Sequence, residues 1–335
     1  MGVKLKDIAE KTGYSINTVS MVVNGKGRIS EATRKVIKDC IKEMGYVTNG
    51  SARSLRSGKS NMLALIVDDL INPWLSAISD EIIVYSGQLG YTVNVYITNG
   101  EVTKETDAVS DAIGREADGI ILLPIQQNNE SVKLMYRHNI PFVLLGRTVS
   151  EFSDDLSVTY DELRCGYIAV EHLLLKGHNS IMVMNSEKNS YTGESRLNGI
   201  EAAFYTYGKK IDSNMICNLP INVHSRRKQI RNVMKQMEKC TAVVCYDDMV
   251  ALEVIDYLKK EGKSVPGDVS VIGFGNIGKN IPVTPKLTTI DSSENKLPIT
   301  AVDLLIEKIN GKNPVKKVLP VMIFEGDTVA DLNLY

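Results

Sequence analysis

The sequence that decides the N-terminal fold runs from residue 14 to residue 25 and reads Y-S-I-N-T-V-S-M-V-V-N-G. Ser15 is a favourable N-cap residue, so this stretch predicts a short helix from Ile16 to Val23. The apolar spacing over residues 5–12, followed by Gly13, predicts another helix immediately before it. Two short helices around a turn that contains glycine are typical of a helix-turn-helix unit.

A third helix is predicted to follow, with Ser30 at its N-cap and Gly45 at its C-terminal end. Its apolar residues form one stripe at helical spacing, and they are Val36, Ile37, Cys40, Ile41 and Met44. Any small three-helix domain shows such a pattern, so the pattern alone does not indicate a binding partner. The charge of this segment is more informative.

The charge of the chain is distributed unevenly. Residues 1–60 carry twelve Lys and Arg against five Asp and Glu, whereas residues 61–335 carry twenty-seven against thirty-five. A basic segment attached to an acidic body is expected where one part of a protein contacts a polyanion. The split near residue 60 therefore predicts a domain boundary and a nucleic acid as the partner of the N-terminal part.

The composition excludes several classes of protein. With 43% hydrophobic and 24% charged residues among 335, the chain can bury a large core, and no apolar run approaches the ~20 residues of a membrane span. The N-terminus has no signal-peptide pattern, and the five scattered cysteines are typical of free thiols, so we expect a cytoplasmic protein. Four scattered histidines offer no zinc spacing, and we expect no metal and no cofactor.

The stretch 14–25 resembles the DNA-binding domain of LacI-family transcription regulators, whose usual form is close to V-S-x-x-T-V-S-R-V-L-N-G. The resemblance continues through residues 29–34, 44–46 and 51–56, and the last of these is similar to the hinge helix of the family. It implies a helix-turn-helix domain over residues 1–47 and a hinge helix with its linker over 48–60.

Residues 61–335 alternate between short apolar runs and helical stretches, which indicates an α/β fold with parallel sheets covered by helices. The predicted strands are 62–67, 92–97, 120–123, 142–145, 181–184, 242–245 and 269–273, and the clearest predicted helices are 78–89, 102–115 and 131–138. The family resemblance implies that this part is a two-lobed, periplasmic-binding-protein-like core for effector binding and dimerisation.

The resemblance also implies which residues contact DNA. A recognition helix in the major groove would turn Ile16, Asn17 and Met21 towards base edges, while hydroxyl groups nearby would contact phosphate. Met21 departs from the family, which commonly has arginine there. In the hinge, Leu55 matches the leucine that wedges into the minor groove. The candidate DNA contacts are Ser15, Ile16, Asn17, Thr18, Ser20, Met21, Arg28, Ala52, Arg53, Leu55 and Arg56.

A ligand site between the lobes is implied in the same way. Arg196 matches the arginine that clamps ligands in the family, and Trp74 matches its stacking aromatic position. The candidate effector contacts are Trp74, Leu75, Arg147, Asp161, Thr192, Arg196, Asp247 and Asn276. Sugar-binding members often have carboxylates where this chain has Gly146, Tyr160 and Gly275. We therefore expect either an effector that needs few acceptors, for example an anionic or phosphorylated metabolite, or no small ligand at all.

We therefore interpret the sequence as a cytoplasmic, sequence-specific DNA-binding regulator, a repressor under allosteric control by a sugar, phosphosugar or related metabolite. A homodimer is expected, because paired helix-turn-helix domains match a near-palindromic double-stranded operator. One alternative is a catabolite-control regulator that responds to a phosphoprotein. The other is a nucleotide- or sugar-binding protein or an enzyme with the sensor fold, although we identify no catalytic residues. The G-x-G-x-x-G at 273–278 is a poor dinucleotide signal, because Pro282 and Pro285 follow it.

Overall fold

The computed structural model describes residues 3–46, 59–125, 128–152, 155–186, 190–220, 223–236, 240–292 and 296–334. Its internal contacts divide the chain into two compact units, Met1–Ser60 and Asn61–Tyr335. The limit proposed between residues 47 and 48, and most of the proposed hinge, lie outside the described residues. Among the residues that are described, no helix has both the length and the apolarity needed to cross a membrane.

The first unit consists of α1 (Leu5–Thr12), α2 (Ile16–Val23) and α3 (Glu31–Met44). Each of the last two is capped by a serine: Ser15 Oγ accepts a hydrogen bond from Thr18 N at 3.1 Å, and Ser30 Oγ accepts one from Thr33 N at 3.2 Å. These caps fix where α2 and α3 begin, as the sequence indicated.

One apolar core joins the three helices, with Ile8 from α1, Val19 and Val22 from α2, and Ile37 and Cys40 from α3. Val36 does not belong to it and is 48% exposed, so its assignment to the apolar stripe is wrong. The reason is the helical period: Val36 lies about 100° around the helix from Ile37, which is the centre of the buried face. The buried face is thus narrower than the sequence pattern indicated.

The second unit contains two six-stranded sheets. The first has the order β2-β1-β3-β4-β5-β11 and the second has the order β7-β6-β8-β9-β10-β12. All neighbouring strands are parallel except β10 and β12. The strands are β1 Met62–Val67, β2 Thr92–Ile97, β3 Gly119–Leu122, β4 Phe142–Gly146, β5 Ser157–Tyr160, β6 Ile181–Asn185, β7 Ile216–Asn218, β8 Ala242–Cys245, β9 Ser270–Phe274, β10 Thr288–Ser292, β11 Lys317–Leu319 and β12 Val321–Phe324.

Helices cover both faces of each sheet, and each lobe has apolar clusters on the two sides of its strands. The helices are α4 Pro73–Gln88, α5 Val102–Gly114, α6 Glu130–Arg137, α7 Glu162–Leu175, α8 Tyr191–Thr206, α9 Val223–Gln236, α10 Asp248–Lys260 and α11 Leu297–Ile309. Short 3₁₀ helices span Ser150–Phe152, Ser213–Met215, Ile277–Lys279 and Leu332–Leu334. The predicted α/β class is confirmed, and the seven predicted strands agree with the structure to within one residue.

Helix α4 begins five residues before its predicted start. The Asn72-Pro73 pair, interpreted from sequence as a loop, forms the helix start instead, because Asn72 Oδ1 accepts a hydrogen bond from Trp74 N at 3.0 Å. Proline suits the first turn of a helix, where its missing N–H is not needed. The correction places Trp74 on a rigid helix end rather than on a loop.

The chain passes three times between the two lobes of the second unit. It leaves the first sheet after β5, returns to it after β10 through α11, and leaves it again between β11 and β12. Ligands of such open parallel sheets bind outside the carboxyl ends of the strands. In this unit the ends of β1, β4, β8 and β9 therefore frame the space between the lobes.

Helices α7 and α8 cross very closely in the second lobe. A Cβ atom on Gly166 would lie 2.0 Å from the backbone oxygen of Arg196, and one on Gly199 would lie 1.9 Å from the backbone oxygen of Leu163. Only glycine fits at either position. The crossing also fixes the backbone of Arg196, which extends from α8 towards the space between the lobes.

Candidate functional sites

In the first unit, α2 exposes one face and buries the other. Ile16 is 48% exposed, Met21 is 42% exposed and Asn17 is also exposed, whereas Val19 and Val22 are buried in the core. This is the face that the sequence assigned to base edges. The hydroxyls assigned to phosphate lie beside it, and Arg28 is exposed on the turn that follows α2. The hinge candidates Ala52, Arg53, Leu55 and Arg56 lie outside the described residues.

In the second unit, a cavity of about 350 Å³ lies between the two lobes. It brings together six of the eight candidate effector contacts, which are Trp74, Leu75, Arg147, Thr192, Arg196 and Asp247. The other two lie elsewhere. Asp161 is exposed and caps α7 through a hydrogen bond from Arg164 N to its Oδ1 at 2.9 Å, and Asn276 lines a neighbouring groove along α4.

Arg196 is held on several sides in this cavity. Its Nε donates to Glu162 Oε2 and its Nη1 donates to the backbone oxygen of Tyr246, both at 2.6 Å. Its guanidinium lies 4.3 Å from the centre of the Phe274 ring and 5.1 Å from that of Tyr246. Since Arg196 and Glu162 are both largely buried, this charged pair is already oriented before any ligand binds.

A second arginine of the cavity, Arg147, is hydrogen-bonded to Asp68. Its Nε is a buried donor without a hydrogen-bond partner within the part of the chain that the structure describes. A buried donor of this kind is costly unless something accepts from it. Arg147 Nε is therefore a candidate donor to a ligand oxygen.

Carboxylates line the cavity in greater number than the sequence indicated. In addition to Asp247, they are Asp68, Asp69, Glu162, Asp248 and Asp291. The cleft therefore offers more acceptors than the three positions without carboxylates suggested. Asp68 and Asp69 directly follow β1, so the rule that sites gather at carboxyl ends of strands would have found them. Glu162 carried no sequence signal, because its partner Arg196 is thirty-four residues away.

The positions that lack carboxylates make room for an aromatic ring instead. A Cβ on Gly146 would lie 3.6 Å from Trp74 Cη2, and one on Gly275 would lie 3.3 Å from Trp74 Cδ1. The ring of Tyr160 is 6.4 Å from that of Trp74, with the two planes tilted by 59°. Gly275 therefore leaves room for the indole, and Gly146 lies at ordinary contact distance from it. The indole offers an apolar wall to a ligand.

Asp248 is the most deeply buried carboxylate of the cavity, at 1% exposure. Its Oδ2 accepts a hydrogen bond from Ile277 N at 2.9 Å, and its Oδ1 accepts one from the Thr289 hydroxyl at 2.7 Å. Burial nevertheless raises the pKa of Asp248 to about 6, and burial also raises the pKa values of Asp247 and Asp291. Asp248 thus links the loop after β9 to strand β10. Because its pKa is raised, the contribution of this carboxyl to the free energy of unfolding depends on pH.

Because the pKa of Asp248 is higher in the folded chain, the folded chain binds more protons than the unfolded chain between the two pKa values. We expect the difference in free energy of unfolding between the wild type and Asp248→Asn to move by about 1 kcal/mol in favour of the wild type from pH 7.5 to pH 5. Denaturant titrations of the full chain at both pH values measure it, and parallel profiles would contradict it.

Asp268→Asn provides the matched control for this experiment. Hydrogen bonds from the hydroxyl and backbone N–H of Ser264 lower the pKa of the exposed Asp268 carboxyl. Stability from a lowered pKa is lost only as the pH falls below the ordinary value of 3.8, so the same difference for Asp268→Asn should stay nearly constant between pH 7.5 and pH 5.

Comparisons with known proteins follow the division of the chain. Residues 4–49 match the family model described as "Bacterial regulatory proteins, lacI family", and residues 170–329 match the model described as "Periplasmic binding protein-like domain". The chain is 26% identical over 334 residues to the HTH-type transcriptional repressor PurR of Photobacterium profundum, and the match covers 98% of this chain and 99% of that protein.

Two solved structures share the fold over almost the whole chain. The lac repressor dimer bound to operator and the anti-inducer ONPF has 24% sequence identity and a TM-score of 0.87, over 98% of this chain and 100% of that chain. The complex of the transcriptional regulator CelR with cellobiose has 23% identity and a TM-score of 0.72, over 97% of this chain and 99% of that chain.

Proposed function

We propose that the chain is an effector-controlled, DNA-binding transcriptional repressor of the lacI family, and that its effector is an uncharged, hydroxyl-rich molecule such as a sugar. The observation that carries the proposal is the charge of the cavity between the lobes. Among the described residues, six carboxylates line it against three arginines.

Each of the three arginines already has a carboxylate partner. Arg147 pairs with Asp68, Arg196 pairs with Glu162, and Arg226 makes two hydrogen bonds to Glu253 at 2.9 and 3.0 Å. A phosphate would add a charge of about −2 next to the remaining carboxylates, which disfavours it. Hydroxyl groups can donate to those same carboxylates without such a penalty. The sequence-based idea of an anionic effector is therefore not retained.

Trp74 favours a ring-shaped sugar. One side of a sugar ring carries mostly C–H groups, and the indole supplies an apolar surface for them while the carboxylates accept from the hydroxyls. Arg147 Nε and the Arg196 guanidinium can donate to ring or hydroxyl oxygens. All these groups lie around one cavity, so a single ligand can contact both lobes.

We propose that the chain acts as a cytoplasmic homodimer on a near-palindromic double-stranded operator. One helix-turn-helix domain reads only a half-site, and two related domains double the contact. Large apolar side chains on the first lobe, among them Ile71 at 90% exposure and Val84, support a surface that a second subunit covers.

The G-x-G-x-x-G motif at residues 273–278 does not support a dinucleotide site. It leads into the 3₁₀ helix Ile277–Lys279, which gives no α-helical N-terminus for a dinucleotide.

The effector would act by changing the relative orientation of the two lobes, which are joined by three connections. Ligand and operator are then coupled through two states of one body, and the coupling is reciprocal. Leu55 as a minor-groove wedge remains part of this proposal.

One experiment tests the proposal. The full chain is used to select duplexes from a random DNA library, and its affinity for an enriched duplex is measured over a series of salt concentrations. We expect log K to fall linearly with log salt, because phosphate contacts release counterions. A panel of neutral sugars and their phosphorylated counterparts is then added. A neutral sugar should shift the DNA affinity, and a phosphosugar that acts at lower concentration than its parent would contradict the proposed effector class.

A further inference from the structure

The exposed face of α2 consists of uncharged side chains. This helix, Ile16–Val23, contains no charged residue. Asn17 and Met21 are one turn apart, so they are neighbours on the side opposite the buried Val19 and Val22. A guanine is most often recognised by arginine or lysine. The centre of this face instead presents one amide and one thioether.

Met21 is held in position by the turn that follows α2. Gly27 has a φ of +81°, which favours glycine, and a Cβ at this position would lie 2.7 Å from Met21 Sδ, so the thioether lies directly beside the turn. The backbone oxygen of Met21 also accepts a hydrogen bond from Lys26 N at 2.9 Å. The thioether is therefore packed against the turn while 42% of the residue stays exposed.

The polar side chains around this face differ in their availability. Ser15 Oγ accepts from Thr18 N and lies 2.9 Å from Thr18 Oγ1, and Asn24 Nδ2 donates to Ser20 Oγ at 3.2 Å. The amide of Asn17 has no hydrogen-bond partner among the residues described for this unit. Its donor and acceptor match the N7 and N6 positions of adenine, which it can contact together.

We infer that α2 reads A·T base pairs, with the Asn17 amide hydrogen-bonded to an adenine and the Ile16 and Met21 side chains packed against thymine methyl groups. The thymine methyl is the apolar group that a base presents in the major groove, and cytosine has only hydrogen at that position. This inference rests on the proposed function, because it requires that α2 enters the major groove.

The test uses the duplex enriched by the full chain, with deoxyuridine replacing one thymidine at a time. This change removes a single methyl and keeps every base pair. We expect about fourfold weaker binding at each thymine that α2 contacts, from the burial of one methyl group. Met21→Ala should remove this sensitivity at one of those positions. Val36→Ala, which shortens an apolar side chain of similar exposure on α3, should leave it unchanged.

A further variant addresses base identity. Met21→Arg should shift the selected base pair at the Met21 position from A·T to G·C. An enriched duplex whose affinity is independent of every thymine methyl, or one with G·C pairs where Met21→Ala changes the affinity, overturns the inference alone. Failure to enrich any duplex overturns the proposed function, and the inference with it.

Discussion

Replacing Gly199 by alanine is expected to lower the free energy of unfolding by about 3 kcal/mol or more. The added Cβ would lie 1.9 Å from the backbone oxygen of Leu163 and 2.9 Å from the backbone nitrogen of Tyr167. Both atoms belong to α7, so no rotation of a side chain can relieve the contact. The two helices must separate, and the apolar packing between them is lost in proportion.

Denaturant unfolding of the full chain measures this effect, with Gly87→Ala as the matched control. Gly87 also lies in a helix, but nothing lies within 4 Å of a Cβ built on it, so alanine should be neutral or stabilise the chain by up to about 1 kcal/mol. Equal unfolding midpoints for Gly199→Ala and the wild type would contradict the role of this helix crossing.

The same substitution should also weaken the response to the effector. Arg196 lies less than one turn before Gly199 on α8, and its own backbone oxygen contacts Gly166 of α7. A separation of the helices therefore moves the guanidinium away from Glu162 and Tyr246. Gly87→Ala should leave the effector response intact.

The sequence predicted the strands well because parallel strands that are buried on both faces appear as short, continuous apolar runs. β1 and β8 begin and end as predicted. The start of α4 was missed because Asn-Pro suits both a turn and the first residues of a helix. Which of the two forms depends on whether the following residues can pack, and that is a tertiary property.

Six of the eight residues that the family resemblance assigned to effector contacts line the cavity between the lobes. The lone Trp74 and the motif arginine Arg196 were found in this way. The acidic residue at the start of α7 was placed one position too early: Asp161 caps the helix and stays exposed, whereas Glu162 in the first turn points inward to Arg196. A shift of one residue rotates a side chain by about 100° around a helix, and a single sequence does not define that angle.

Replacing Arg196 by alanine is expected to abolish the response to the effector and to lower the free energy of unfolding by about 3–5 kcal/mol. The substitution removes the donor to Glu162 and to the Tyr246 carbonyl, and it leaves the Glu162 carboxylate buried without its partner. The guanidinium stacked on Phe274 is lost as well. Chemical denaturation and effector titrations of the DNA-bound chain measure the two losses.

A paired substitution separates the structural part of this effect from ligand binding. Arg196→Met combined with Glu162→Gln removes both charges and keeps similar volumes, and replacement of a buried ion pair by neutral groups is often close to neutral for stability. We expect this double variant to unfold within about 1 kcal/mol of the wild type and to bind operator normally. It should still fail to respond to the effector, because the guanidinium of Arg196 is no longer present to donate to the ligand. If it responds at wild-type concentrations, Arg196 stabilises the lobe without contacting the ligand.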